Sequence, residues 1–582
     1  MQAREAEVSR LDKLHERIGT GRLVLGALTA ILAWMVLFQR ALAAPWLLVP
    51  VMAFIALVLY HGAVRRRRSR AGRAVTYYKQ GILRSEDRWS DQGSSGARFA
   101  SPAHIYAADL DLFGKDSLFQ LLSLARTVMG EDTLARWLLT PGTLAEIKAR
   151  QGAVVDLRER LDMREEMAAL GDTDEVGMRP AALLTWADSP NQLPHRWLLW
   201  VALVLPALAI VAAVIWSVQG LMTPFILILL IEAGVVYAVR RILADVLRET
   251  DHAFRDLQLF AALLLSIERG TFASASMQEL ARRLASHTQS ASETIGRLAR
   301  VMDFADARNN PFLRPLDTPL LYSVHVALAA ERWRRDHGKV VRDWVEVVGE
   351  FEALMSLARY SYEHPEDPFP EFVGGPATFA ATDLGHPLLP AAKCVRNSVS
   401  LEPPARVLLV SGSNMSGKST LLRTVGINTV LAMAGAPVRA RSLRLSPLQP
   451  GASIRVNDSL HEGSSRFYAE ITRLREIYAL LDAGLPVLFL LDELLQGTNS
   501  KDRLIGAEGV VRAFVAAGAI GLVSTHDLAL TAIGGLPPGT VRNVHFQDEL
   551  VDGQMRFDFT LREGVVTRSN GIELMRAIGL KV

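Results

Sequence analysis

Cysteine is almost missing from this chain, which holds one thiol, Cys394, in 582 residues. A single cysteine excludes an internal disulfide and any Cys-x-x-Cys metal site, and leaves Cys394 a packing role. A dominant charge is missing too. Lys and Arg number 64 against 61 Asp and Glu, a net charge of +3, so the chain as a whole is no polycation seeking nucleic acid. No internal repeat is present. Charge is also nearly absent from four long apolar stretches. Leu23 to Gln39 carries none, Ala41 to Val64 carries none apart from a protonated His61, Trp197 to Val218 carries none, and Leu221 to Val239 carries only Glu232. Half the residues are hydrophobic and the mean hydropathy is +0.18, high for a purely soluble protein.

A bilayer core takes about 20 apolar residues in a helix, so these stretches are expected to span a membrane. Short connectors, Arg40 to Pro45 and Gln219-Gly220, pair them as two helical hairpins. Arg17 and Arg22 precede the first hairpin, and Arg65 to Arg68, Arg70 and Arg73 follow it. Arg196 precedes the second, and Arg240-Arg241 follow. By the positive-inside rule all these flanks are cytoplasmic. The arginine run can also meet nucleic acid, but its juxtamembrane place favours topology and anionic membrane lipid. Ala41-Leu42-Ala43 mimics a signal-peptide cleavage site. The preceding run is longer than a signal core and a second span follows at once, so the segment reads as an anchor. Glu232 is either an intramembrane functional carboxylate or one that lies protonated against a neighbouring helix.

What is present is most specific at 412–420, GSNMSGKST. It fits G-x-x-x-x-G-K-[ST], with Gly412, Gly417, Lys418 and Ser419 at the fixed positions. Glycines let such a loop curl so that backbone N–H groups, including those of Ser413, Asn414, Met415, Ser416 and Thr420, face phosphate oxygens. Lys418 would reach the β- and γ-phosphates and Ser419 would ligate Mg²⁺. The apolar strand 405–410 precedes the loop and a helical pattern follows, adding its N-terminal dipole. A second apolar strand, 487–491, ends in Asp492-Glu493. Asp492 would hold the Mg²⁺ shell and Glu493 would polarise the attacking water. A third strand, 520–524, runs into Thr525-His526-Asp527, where His526 either senses the γ-phosphate or is a turn histidine.

These motifs, with LLDELLQGTNS at 490–500 and STHD at 524–527, resemble the ATPase domain of the MutS mismatch-repair family. HPLLP at 386–390, VRNSVSL at 395–401, DSLHEGSSRFYAEITRLREI at 458–477, RNVHF at 542–546 and TRSNGIELMRAIGL at 567–580 agree with it. DLDLFGKDSLFQLLSLARTVMGEDTLARWLLTP at 109–141 resembles the start of the family's helical core. The resemblance implies ATP and Mg²⁺ as ligands and a homodimer with a composite site, in which Ser465 of one protomer completes the other's site. It implies that Phe372 stacks on adenine and that His386 and Asn397 lie near the nucleotide. The departures also have consequences. About 100 residues precede the core, much of that apolar, and no Phe-x-Glu wedge occurs there. The signature segment lacks the LSGGQ of ABC transporters.

The expected fold is therefore an α/β P-loop (ABC-type) ATPase domain at the C-terminus, an all-α core and two transmembrane hairpins. Its parts are a cytoplasmic segment 1–22, a hairpin 23–64, a basic and polar linker 65–101, core residues 102–195, a hairpin 196–241, further core 242–370 and the ATPase domain 371–582. Core and ATPase are expected in the cytoplasm under a multi-pass cell-membrane anchor. Any DNA binding should come without strong mismatch preference, through Arg282, Arg283, Arg297, Arg332, Arg334 and Arg335. The alternative is an ATP-driven membrane switch with no DNA substrate.

Overall fold

A computed structural model describes residues 1–566 except positions 38, 40–45, 47, 91, 171–179, 191–195, 254–256, 286–288, 308–316, 414, 456–465, 497 and 552–553. The N-terminal helices are longer than their apolar parts. Helix α1 (Gln2–Leu37) takes in the segment expected to stand apart at 1–22, and α2 (Leu48–Ser85) runs through Arg65 to Arg68 and through most of the expected linker. The reason is local: no proline occurs from 51 to 101, and single glycines at 62, 72 and 81 weaken a helix without ending it. The two helices form a hairpin. His61 Nε2 meets His15 Nδ1 at 2.8 Å, Arg22 meets His61 Nδ1 at 3.0 Å, and Arg68 pairs with Asp12.

Along their apolar parts α1 and α2 are almost wholly exposed, with Leu23, Trp34, Leu48 and Leu59 all more than half open. Among the described residues three helices are long and apolar enough to cross a membrane: α1, α2 and α8 (Arg196–Gln219). The fourth expected span begins later than the sequence indicates. Gly220 adopts φ +75° and turns the chain, Trp216 stacks on Phe225 at 5.6 Å, and α9 starts at Thr223 (Thr223–Ala253). The apolar part of α9 is Thr223–Val239, about 25 Å long at 1.5 Å per residue and a little short of a ~30 Å core. Within the second hairpin Glu232 is fully buried, with no hydrogen bond to either carboxylate oxygen.

The helical core comprises α3 (Leu118–Leu122), α4 (Val128–Leu139), α5 (Leu144–Arg158), α6 (Leu161–Ala169) and α7 (Pro180–Asp188), then α10 (Leu257–Arg269), α11 (Ala275–Ala285), α12 (Ala291–Ala307), α13 (Asp317–Leu320), α14 (Tyr322–His337) and α15 (Val341–Glu363). The sequence starts these helices visibly, as where Thr143 and Glu146 cap α5 reciprocally. α15 runs through the middle and is buried along most of its length, with Phe351, Met355 and Leu357 at zero exposure. Each such side chain stabilises the core by about 1.5–3 kcal/mol. Glu352 lies on the same helix, accepting from Arg126 N (2.8 Å) and Thr127 Oγ1, and burial pushes its carboxyl up to about 7.

The C-terminal part holds two sheets. Strands β1 (Glu371–Phe372), β2 (Phe379–Leu384), β3 (Asn397–Leu401) and β5 (Ser442–Leu445) form one, ordered β1-β5-β2-β3. Strands β4 (Val407–Ser411), β6 (Gln449–Ser453), β7 (Val487–Asp492), β8 (Ile520–Thr525), β9 (Val541–Val551) and β10 (Gln554–Glu563) form the other, ordered β10-β9-β4-β8-β7-β6. It is parallel except for β10 at the edge. The apolar runs of β4, β7 and β8 are buried throughout, as strands covered on both faces require. Around them lie α16 (Lys418–Ala434), α17 (Arg466–Ala479) and α18 (Ser500–Ala516). Gly521 on β8 is obligatory, since a Cβ there would lie 2.2 Å from the Phe489 carbonyl oxygen. One apolar cluster runs from Phe260 and Phe351 in the helical core to Leu421 and Leu490 beside the sheet, so the two parts share a core.

Candidate functional site

β4 and β8 are neighbours, as are β8 and β7, and all three point the same way. Their C-terminal ends therefore bring the three sequence motifs together. β4 leads into the glycine loop, which needs left-handed backbone at Gly412 (φ +152°), Met415 (+69°) and Gly417 (+107°), and Gly417 then caps α16. Glycine is required at 412 for space as well, because a Cβ would sit 2.8 Å from Ser416 Oγ and 3.1 Å from the Phe546 carbonyl. Lys418 folds back over this loop, donating to Gly412 O (2.9 Å) and Ser413 O (2.8 Å). It is 5% exposed and lies 3.8 Å from Glu493 Oε1. Burial pulls its ammonium below the ordinary lysine range, and Glu493 and Asp492 oppose that pull. Ser413 Oγ and Ser416 Oγ are buried with no hydrogen-bond partner.

Asp492 ends β7 opposite Ser524, whose hydroxyl donates to Asp492 Oδ1. The next residue, Glu493, adopts φ +50°, a conformation that costs a non-glycine residue of order 1 kcal/mol. It is held there by its N–H on Ser524 O (3.2 Å) and Ser524 Oγ (3.1 Å) and by Gln496 Nε2 on its carboxylate. His526 Nδ1 stands 3.7 Å from Glu493 Oε1 and is half exposed. Glu493 thus lies between Lys418 and His526. The sequence gives no sign that Gln496 and Ser524 act as supports, although both sit inside the motifs named above.

Beside the loop is a cavity of about 220 Å³ walled by His386, Asn397, Gly417, Thr420, Phe546 and Phe559. His386 and Asn397 are thus beside the loop. Asn397 spends its side chain on the protein: Nδ2 donates to Phe559 O (3.0 Å) and Oδ1 accepts from Leu561 N (2.7 Å). These bonds clip the irregularity in β10 and set Phe559, at φ +54°, against the cavity. Phe559 has no signal in the sequence, because a bulge brings it there from a distant edge strand. Phe372 is not brought to this cavity. It lies on β1, three strand positions from β3 and about 14 Å away at ~4.8 Å per strand, and its ring packs on the core. Asn414 and Ser465 lie outside the described residues.

His386 is buried; Nδ1 accepts from Leu388 N (3.2 Å). Burial, then Arg423, pulls its imidazole down to about 4. An unfolded histidine titrates near 6.5, so between about 6.5 and 4 the unfolded chain binds the extra proton and stability falls as pH falls. The loss from pH 7 to pH 5 is about 2 kcal/mol. His386→Gln should flatten the melting temperature across that range by a matching amount, and an unchanged slope would contradict a neutral buried His386.

The loop helix is also tied to the helical core. Asp109 Oδ1 accepts from Ile454 N (2.8 Å) and Arg455 N (2.6 Å). Asp111 pairs with Arg455 (2.6 Å) and with Arg423 of α16 (3.7 Å), and Leu110 touches the backbone of α16 where Gly426 leaves room.

Residues 408–581 match the family description MutS domain V. An endonuclease MutS2 of Thermus thermophilus is 34% identical over 196 residues, 34% of this chain and 25% of the relative. A DNA mismatch repair protein MutS 2 of Halobacterium salinarum is 36% identical over 189 residues, 32% and 21% respectively. A DNA mismatch repair protein MutS of Brevibacillus brevis is 32% identical over 262 residues, 44% and 30%. The matched region spans less than a third of the length of these curated relatives.

Proposed function

Because this chain belongs to the MutS family through its C-terminal domain, we propose that it is a membrane-anchored ATPase that binds ATP on the P-loop 412–420 and hydrolyses it in a dimer. The observation that carries this is the meeting of Lys418, Glu493 and His526 at the ends of β4, β7 and β8. The loop suits a phosphate: two buried hydroxyls, of Ser413 and Ser416, wait without partners, and the glycine at 412 leaves room no side chain could share. Lys418 would exchange its two loop carbonyls for β- and γ-phosphate oxygens. Glu493, fixed by Ser524 and Gln496, would orient the attacking water and accept its proton, with His526 beside the γ-phosphate. Ser419 and Asp492 form a hard-oxygen pair that would hold Mg²⁺, whose charge when bound offsets that of the phosphates. The cavity between His386 and Phe559 would take the base. Ser465 of the partner subunit would complete the site.

The second reading, an ATP-driven membrane switch with no DNA substrate, is favoured by α2. This one helix leaves the apolar span and reaches Arg84, which clasps Glu363 at the end of α15 with two parallel bonds (2.8 and 3.0 Å). The discriminating experiment is an ATPase assay of the detergent-purified protein with and without homoduplex, mismatched and branched DNA. Stimulation by DNA supports the first reading, and indifference supports the second.

We expect less than a tenfold preference for mismatched over matched DNA, about 1.4 kcal/mol. Residues 1–108 hold no Phe-x-Glu wedge, and the core cations would contact phosphates only. Fewer of them are available than the sequence indicates. Arg334 is buried beside Glu331 (2.5 Å), and Arg283 pairs with Asp343 and Glu350. Side-by-side titrations at several salt concentrations test this, and a larger ratio would mean an unseen recognition element.

For topology, both hairpins should turn outside the cytoplasm, with residues 75–195 and the C-terminus inside. A reporter active only outside the cytoplasm, fused after Ser90 or Val582, should stay silent; activity from either would overturn the two-hairpin arrangement.

A further inference from the structure

Arg423 stands on α16 four residues after Ser419 and three before Gly426, so the three share one face of the helix. Ser419 belongs to the proposed Mg²⁺ pair with Asp492. Gly426 lies under the helical core, where a Cβ would come 2.5 Å from Leu110 Cδ2. Arg423 thus has the nucleotide loop on one side and the core on the other. Its Nη1 lies 3.7 Å from Asp111 Oδ2, and its Nε is buried with no hydrogen bond. Burial, then Arg455, pulls its guanidinium below the ordinary arginine range, and Asp111, Asp492 and Asp109 oppose that pull. One cation is therefore shared. Asp111 and Asp109 draw it toward the core, and Asp492 draws it toward the site.

Asp111 is fixed in place from several directions. Its backbone is left-handed at φ +52°, and its carbonyl accepts from Leu118 N (3.0 Å). Its carboxylate forks onto Arg455, with Oδ1 accepting from Nη1 (2.6 Å) and Oδ2 from Nη2 (3.3 Å). Arg455 follows β6, whose last residue, Ser453, pairs with Leu491, the neighbour of Asp492. A single carboxylate of the core thereby pairs with cations on two elements that border the site.

We propose that Asp111 is a positioning residue for Mg²⁺ binding: it holds the Arg423 guanidinium on the core side of α16 and so keeps that cation from neutralising Asp492. The inference rests on the reading of 412–420 as a nucleotide site. Its physics is competition for one carboxylate. A guanidinium and a divalent cation both stabilise the Asp492 charge, and a second partner for the guanidinium weakens its share. Asp109 is a poor substitute for Asp111, because it is buried and its Oδ1 already accepts from Ile454 N and Arg455 N. The helical core can then set the metal requirement of the site, since a shift of residues 109–111 away from α16 would return Arg423 to Asp492.

The test is calorimetric binding of a non-hydrolysable ATP analogue to the full chain in neutral detergent, over a series of Mg²⁺ concentrations at low salt, where charge effects are least screened. Asp111→Asn should raise the Mg²⁺ concentration for half-maximal binding by about threefold or more, with analogue affinity at saturating Mg²⁺ close to wild type. Arg423→Gln should lower that concentration below the wild-type value. Asp111→Asn/Arg423→Gln should match Arg423→Gln, because the competing cation is gone. A purely structural role for Asp111 would leave the double variant as impaired as Asp111→Asn, and that result overturns the proposal. So does an unchanged Mg²⁺ requirement in Asp111→Asn, or a raised one in Arg423→Gln. The last variant keeps Asp111 on Arg455 and decides the matter even where Asp111→Asn does not fold. A wild-type chain that fails to bind the analogue, or Lys418→Ala that binds it equally well, overturns the loop reading and this inference with it. Loss of binding in Lys418→Ala beside an unmoved Mg²⁺ requirement in Asp111→Asn overturns this inference alone.

Discussion

Lys418→Ala is expected to abolish ATP hydrolysis, with turnover down at least 10²–10³-fold and nucleotide binding strongly weakened. Lys418 is the buried cation at the loop, and it already reaches two loop carbonyls and Glu493. Among the described residues the basic side chains that line the cavity beside the loop are Lys393 and His386, and burial keeps His386 neutral at pH 7. Alanine therefore leaves the phosphates without the one cation that already reaches into the loop. The purified variant should melt near the wild-type temperature, because the α16 backbone and its glycine cap are untouched. Near-wild-type turnover would sink the assignment of this site.

Glu493→Gln should have a different signature. The amide preserves the volume and an acceptor oxygen, so Lys418 and the loop keep their geometry, while the base that takes the proton from water is lost. Nucleotide should still bind, and hydrolysis should slow by roughly 10²–10⁴-fold. If ATP closes a dimer, this variant holds it closed. Light scattering should then show a dimer with ATP and a smaller species without. A monomer in both states would argue against the composite site and against Ser465 acting on the partner's nucleotide. The strained φ of Glu493 and its bonds to Ser524 make one further distinction. Ser524→Ala should lower turnover through loss of that geometry.

The strand–loop–helix at 407–434 and the acidic strand end at Asp492-Glu493 are legible in the sequence because their chemistry is local. Glycine, lysine and hydroxyl residues must stand at fixed offsets when one backbone turn makes the site. The hairpins are legible because lack of charge over some twenty residues has few explanations. What the sequence hides is set by distance along the chain. Phe559 reaches the cavity through a bulge on an edge strand, clipped by Asn397 from 162 residues away. Phe372 fits a motif, but sheet order places it on the far edge. The end of α2 is hidden for the opposite reason. Basic and polar sequence looks like a linker, and only packing decides it: Tyr78 bonds Glu165 (2.5 Å), Arg73 bonds Ala169 O (2.9 Å), and Arg84 bonds Glu363. These contacts carry the helix well past its apolar part.

If α2 crosses a membrane as proposed, that continuity would make it a mechanical transducer of bilayer thickness. Its apolar arm, Leu48 to Val64, is about 25 Å long and its polar arm, Arg65 to Ser85, about 31 Å. A helix whose apolar length exceeds the hydrocarbon tilts, whereas a shorter one thins the bilayer around it, so tilting would set in only where the hydrocarbon is thinner than this arm. With the pivot at the membrane surface, a tilt of about 10° sweeps the far end sideways by about 5 Å. That end is clasped to the last turn of α15, and α15 runs within eight residues into the first strand of the ATPase domain. Lipid chain length would thereby be converted into displacement at the root of the C-terminal domain, with no ligand and no partner protein in between.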